Sequence, residues 1–523
     1  MDLRPLNLQV DILGYGPTLD LGNGITLTPE ELIAFSSMMT YKDKNAKEMI
    51  MEIINSGKDV KTEAVKSLKE SAKRGHASLS TSAAFWYLVR GASKFVDSMF
   101  TGAVYSSSLM PSGRRIPVNL ENIVAPDSII NANGEIKGIY YDASAENIKF
   151  FMEIQDTLVK KEDAAKITQY GISGGGFMLI PLETLLDYKK TFEIEDEFVP
   201  KEGKDFVKLL EGKLPEMGMA ILYDYRDDAP RGTLPYPNVF KDPEKDTIID
   251  FFSGRLIDSP SVPILLPEYF YNSRGFMRDM IKLTRLREEI TKSPEDTAKR
   301  WRKLLALRQD IINRHGGNIS LNSFSSISWR VWGEVKRHRT LEQNVESVYA
   351  AADRAIEKFK PYREMIKGNK IDENLVKDIS SVFMIPQKFN EHDGLMQRYL
   401  HRFSDSLIAY GELKARGIPM SDAIMVVPRG LKLMTFKRFD LYNILEGYIP
   451  LRLCGTAENE MRAITEIEFD KMRAYFPDYV AKNIGPKCAS VGFCMEKKPC
   501  GKIQDYIGYK YTPEVHKIIH QKI

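Results

Sequence analysis

Arg337, His338 and Arg339 stand side by side in the stretch Trp332 to Tyr349, which reads WGEVKRHRTLEQNVESVY. Two guanidiniums flanking an imidazole suit a planar anionic ligand, because each guanidinium offers parallel donors and the imidazole can take up charge near neutrality. The plain alternative for any basic triplet is a solvated face. Around the triplet, Glu334 can accept a hydrogen bond but donates only when protonated, while Asn344 and Ser347 offer neutral polar groups. A second chemical candidate is the tail GPKCASVGFCMEKKPCG with Cys488, Cys494 and Cys500. Five residues separate neighbours there, against the two to four of zinc ligand pairs, so free thiols packing a short tail are expected and no metal. The run GISGGG at 171–176 lacks the spacing of a phosphate-cradling loop and reads as a flexible turn.

Positioning such groups takes regular elements, and the sequence marks several. Ile327, Val331 and Val335 form an apolar stripe at helical spacing that would anchor the triplet. Thr28, Pro29 and Glu31 predict a capped helix running to about Met39, and Ser293, Pro294 and Asp296 predict another. Ile148, Phe151, Ile154 and Leu158 predict a helix over Asn147 to Lys161, and Leu395 to Asp422 repeats that pattern. From 227 to 267 the chain carries seven prolines amid Asp, Gly and Ser, which predicts a linker. Residues 1–24 read as extended.

With 523 residues, 43% hydrophobic and 28% charged, the chain has the size and composition of two to four ordinary globular domains. A net charge of +3 argues against a nucleic-acid or membrane partner. Four cysteines give no disulfide framework, and no stretch approaches a membrane span or a leader, so a cytoplasmic location is expected.

The triplet with Asn344 and Ser347 resembles the signature of the flavin-dependent thymidylate synthases, the ThyX family: Arg-His-Arg, then Ser, Asn-Glu, Ser and Arg at fixed offsets. Glu342, Val345 and Tyr349 replace the first Ser, the Glu and the last Arg. Gly75 to Arg115 resembles the same motif again. His76, Ser78, Phe85, Gly91 and Ser93 fall in its slots, Gly102, Ala103 and Val104 replace the triplet, and Ser112 and Arg114 keep its end. Glu162, Asp163 and Ala164 resemble a Glu-Asp-Ala-Arg helix end whose Arg has become Ala165, leaving Lys166 as the nearest cation. Leu451 and Arg452, followed by Ala457, Glu460 and Arg462, resemble the family's closing motif.

The resemblance implies an α+β fold of two tandem domains, each a mixed or antiparallel sheet flanked by helices: a first copy over 1–226, the linker 227–267 and a second copy over 268–523. It implies FAD bound by Arg337, His338, Arg339 and Asn344, with NADPH and methylenetetrahydrofolate as co-substrates for methylating dUMP at C5. Ser112, Gly113, Arg114 and Lys166 would hold the nucleotide phosphate, with Glu334, Ser347 and Arg452 also at the substrate. Arg337, Arg452 and His76 are the catalytic candidates, His76 beside the alternative of a core histidine. Because the first copy keeps Ser112 and Arg114 and the second keeps the triplet, a homodimer forming a pseudo-tetramer with one FAD per chain is expected. Two readings stay open beside this one: a flavin-dependent relative acting on another pyrimidine nucleotide, and an inactive scaffold.

Overall fold

The computed structural model describes residues 3–22, 24–39, 42–73, 79–111, 118–228, 237–246, 248, 262–392 and 394–523. His76, Ser112, Gly113 and Arg114 lie outside the described residues.

Two four-stranded antiparallel sheets carry the fold, as the α+β expectation requires. One runs in the order Gln9–Gly16, Ala84–Ser93, Ser173–Pro181, Ser107–Leu109. The other runs Ile264–Phe270, Ile319–Ser328, Lys432–Asp440, Glu342–Val345. In both, the third strand in the chain sits at an edge and the fourth is central, so the halves share one topology. The strand Ile264–Phe270 opens inside the stretch expected as linker, and so the second sheet begins before residue 268.

Local matches repeat this likeness. Each half has a long helix, Gly134–Ile154 and Leu395–Ala415, and the two pack together. Where they meet, Asn147 Nδ2 donates to Ser406 Oγ at 2.9 Å. Nearby, Gly171 N–H donates to the Met425 carbonyl at 3.1 Å, and Gly430 N–H donates to the Lys166 carbonyl at 2.7 Å, a reciprocal pair of the kind a twofold axis produces. Tyr140 and Tyr399 each donate a buried hydroxyl to a backbone carbonyl, of Val124 at 2.7 Å and of Met384 at 2.9 Å. One apolar core runs through both halves, so the linker joins packed bodies.

Several sequence expectations are met and others shift. Thr28 accepts from Glu31 N–H at 3.4 Å and its own N–H reaches the Glu31 carboxylate at 3.0 Å, opening the helix Pro29–Met38. Ser293 caps Pro294–His315. The helix expected over 147–161 instead spans Gly134–Ile154, because Asn133 caps it about four turns before the apolar spacing that begins at Ile148. The run 171–176 is no loose turn, since Ser173–Pro181 is a central strand. A Cβ on Gly174 would stand 2.5 Å from the Ser93 carbonyl and one on Gly175 2.4 Å from that of Val89, so glycine here allows close backbone packing.

Each half also ends its second strand with the same device. Ser328 N–H and Oγ donate to Glu460 at 2.7 and 2.6 Å; Ser93 N–H donates to Glu202 at 2.6 Å, and its hydroxyl to the same carboxylate. Glu460 has Lys166 at 3.4 Å, whereas no ion pair to Glu202 occurs among the described residues. Burial, opposed by the Ser93 hydrogen bonds, pushes the Glu202 carboxyl up to about 7. With the folded value above the unfolded 4.5, its contribution is full below pH 4.5 and is lost as pH rises through 7. Glu202→Gln is therefore expected to flatten the fall in stability between pH 4.5 and 7, by up to about 3 kcal/mol. Urea midpoints across that range measure it, and an unchanged slope contradicts the assignment.

Candidate active site

The triplet sits where a short helix turns into an edge strand. Ser328 caps the helix Trp329–Val335 by accepting from Val331 N–H, and Trp329 and Trp332 bury its face. Ile327, expected in the helical stripe, belongs to the preceding strand, whose inward face it shares. After Val335 the chain turns, with His338 N–H on the Val335 carbonyl and Leu341 N–H on that of His338, and then pairs as Glu342–Val345.

Three candidates meet there, Glu334 and His338 with Arg452 from more than a hundred residues further on. Arg452, at the end of the helix Tyr448–Arg452, donates from Nε to His338 Nε2 at 2.6 Å, and its Nη1 lies 3.5 Å from Glu334 Oε2. The Tyr448 ring stands edge-on to His338 at 4.9 Å. Burial, with Arg452 and Lys437 nearby, pushes the His338 imidazole down to about 3. His338 is thus a neutral acceptor with its proton on Nδ1, and of the three expected cations only the two arginines carry charge.

Those arginines face different ways. Arg337 is exposed. Arg339 turns into the other half, donating to the Ala103 carbonyl at 2.8 Å and to Ser106 Oγ at 3.0 Å. It therefore grips the backbone at Ala103, in the first-half segment aligned by sequence with the triplet. Beside this joint lies a cavity of about 630 Å³, walled by Gly102 and Val104 from the first half and by Lys336, Arg339 and Asn344 from the second. Gly102 and Val104, two of the residues standing in the triplet's slots, are thus part of that wall.

Lys336 was not singled out by the sequence, and it is fully buried. Its ammonium donates to the Asp97 carbonyl and lies 4.9 Å from the Trp332 ring. Burial and the neighbouring Arg337 hold it well below the usual lysine range. Its only sequence signal was adjacency to the triplet. Asn344 accepts from Lys241 Nζ at 3.4 Å on the cavity wall.

Two expected substrate contacts lie elsewhere. Lys166 is fully buried, 2.6 Å from Glu458 and 3.4 Å from both Asp163 and Glu460, so its charge is matched inside the protein and does not face a phosphate. Ser347 is buried as the first residue of a helical turn, donating its hydroxyl to the Lys241 carbonyl at 2.8 Å and its N–H to Asp246. Tyr349, in the last slot of the motif, donates to the Phe198 carbonyl. That end of the second motif has become part of the joint between the halves.

Residues 287–478 match the model of the family described as thymidylate synthase complementing protein. Flavin-dependent thymidylate synthases of Pyrococcus abyssi and Pyrococcus horikoshii are 24% and 26% identical over 124 residues, which is 23% of this chain. The match spans about half the length of each of these relatives. Among solved structures, a UMP/dUMP methylase from Streptomyces cacaoi bound with 5-Br dUMP aligns over 45% of this chain and all of its own, at 11% identity and a TM-score of 0.32. Thymidylate synthase X from Helicobacter pylori with FAD and dUMP aligns over 42% and 99%, at 14% identity and a TM-score of 0.29. The segment 287–478 that resembles this family holds both the triplet at 337–339 and Arg452.

Proposed function

We propose that the chain is a tandem duplication acting as an FAD-dependent thymidylate synthase-like enzyme, which methylates dUMP at C5 with methylenetetrahydrofolate and NADPH. The observation that carries this reading is the contact of His338 with Arg452, because it joins the triplet to the closing Leu-Arg pair at one place. FAD fits the residues present: the neighbouring cavity is large enough for a sizeable ligand and presents Lys241, Lys336, Arg339 and the Asn344 amide. FAD when bound supplies hydride chemistry. Arg337 and Arg339 supply positive charge next to it, and the neutral imidazole of His338 orients Arg452. The planar Arg452 guanidinium is of the type that donates to a pyrimidine carbonyl.

Glu334 favours a second reading. A carboxylate against Arg452 alters the donors presented to the base, and so a different pyrimidine nucleotide is the alternative acceptor. Purified protein supplied with dUMP, labelled methylenetetrahydrofolate and NADPH is expected to form labelled dTMP. Flavin-loaded protein that leaves dUMP unlabelled, but modifies another pyrimidine nucleotide, rejects the first reading for the second. Flavin-free protein rejects both and leaves an inactive scaffold.

Arg337→Ala is the cleaner test of the cofactor contact, since Arg339 also ties the halves together. Loss of one charge-assisted hydrogen bond is expected to weaken FAD binding by about 1.5–3 kcal/mol. Titration of apoprotein with FAD measures it, and equal affinity refutes the contact. The division of labour between the halves further leads to a homodimer with one FAD per chain, read from flavin absorbance and light scattering; two FAD per chain would overturn it.

A further inference from the structure

Cys454, Cys488, Cys494 and Cys500 are all the cysteines of the chain, and all four line one cavity of about 430 Å³ beside the helix Tyr448–Arg452. Cys454 comes from the closing motif, thirty-four residues before Cys488, and only the fold brings it to the tail. Cys500 packs over the same motif: a Cβ on Gly455 would stand 3.0 Å from its Sγ. All four thiols are free of disulfides. They also stand around the cavity instead of converging on a point, for no three Cys, His, Asp or Glu among the described residues are placed to share one metal ion. A four-thiolate zinc site needs every sulfur about 2.3 Å from a single atom. A cubane iron–sulfur cluster needs something different, one thiolate for each of its four iron corners around a sizeable inorganic core.

The surroundings match such a core. A cluster with four thiolates is anionic, and Lys498 lines the cavity together with Lys487 and Lys502, which are paired with Glu446 and Glu466; Glu496 lines it too, accepting from the Cys454 thiol at 3.9 Å. Leu453 and Ile503 form a buried apolar wall on one side of the cavity, while Met495 and Cys500 lie at its exposed side. We propose that Cys454, Cys488, Cys494 and Cys500 ligate one cubane iron–sulfur cluster per chain. The site stands apart from the nucleotide reading and does not depend on it.

The full chain, purified without oxygen and reconstituted with ferrous iron and sulfide, is expected to contain about four iron and about four acid-labile sulfide per chain. Counting sulfide separates the cluster from bound flavin, which is also yellow. Cys500→Ala and Cys454→Ala should each lose most of both elements; Cys500 is exposed, so its replacement leaves the core intact. One zinc per chain without sulfide, or wild-type protein that retains neither iron nor sulfide after reconstitution, overturns the proposal. So does a full complement of both in the two alanine variants.

Discussion

Glu458→Ala is expected to cost the fold about 3–5 kcal/mol, the usual result of removing one partner from a buried ion pair. Glu458 is completely buried, with Lys166 at 2.6 Å and Arg330 at 3.5 Å, and its side chain also accepts from Met461 N–H at the start of a helix. Without it, the two buried cations retain Asp163 and Glu460 as the nearby acids among the described residues. The network ties the first half to the second, because Lys166 lies on one side and Glu458 on the other. Burial alone would raise the Glu458 carboxyl, but Lys166 and Arg330 outweigh it and bring the group down to about 2. Its stabilisation is therefore full above the unfolded 4.5 and is lost as pH falls from there through 2. Urea unfolding at neutral pH gives the size of the loss, and a cost below about 1 kcal/mol would show that the network does not hold the halves together. Replacing Lys166 and Glu458 together by Met should recover part of it, since neither charge is then left unpaired.

Arg452→Met is expected to lower nucleotide turnover by on the order of a hundredfold or more, the scale for losing a positioned donor at a reacting group. The same change removes a cation held 2.6 Å from His338. Because burial is the larger cause of the depressed imidazole, the His338 value should rise above about 3 without returning to its ordinary one. Arg452→Lys keeps the charge and loses the planar fork, and is expected to restore little turnover. Nuclear magnetic resonance of the imidazole protons reports the titration, and isotopic transfer reports the turnover. Full turnover in Arg452→Met would remove Arg452 from the chemistry, whatever the imidazole does.

How much of this was legible beforehand follows from the range of the interactions. Thr28 and Ser293 cap helices through contacts within four residues, so their sequence pattern was enough. The triplet and Arg452 were each visible as motifs, yet their contact with each other belongs to the fold. Lys166 was assigned to a phosphate because its matching acids, Glu458 and Glu460, lie some 290 residues away in the sequence. Ser347 was misassigned for the same reason, its partners being Lys241 and Asp246. The glycines at 174–175 look like a loop in one dimension, and only the neighbouring strand shows why side chains are excluded there. Cys454 carried no signal, since nothing local distinguishes it from a solitary thiol.

On the proposed reading of the chain as a tandem duplication, the contact between Asn147 and Ser406 shows what joining two copies makes possible. In a pair of identical chains, a residue on the axis faces itself, and one mutation alters both sides at once. Covalent linkage makes the two positions separate genetic letters. An amide can then face a hydroxyl, donor to acceptor, which self-pairing would forbid. On that same proposed reading, this independence would let one half surrender a cationic triplet that the other retains, at Gly102 to Val104 and Arg337 to Arg339, and would turn a symmetric assembly into one whose two sides can be selected for different tasks.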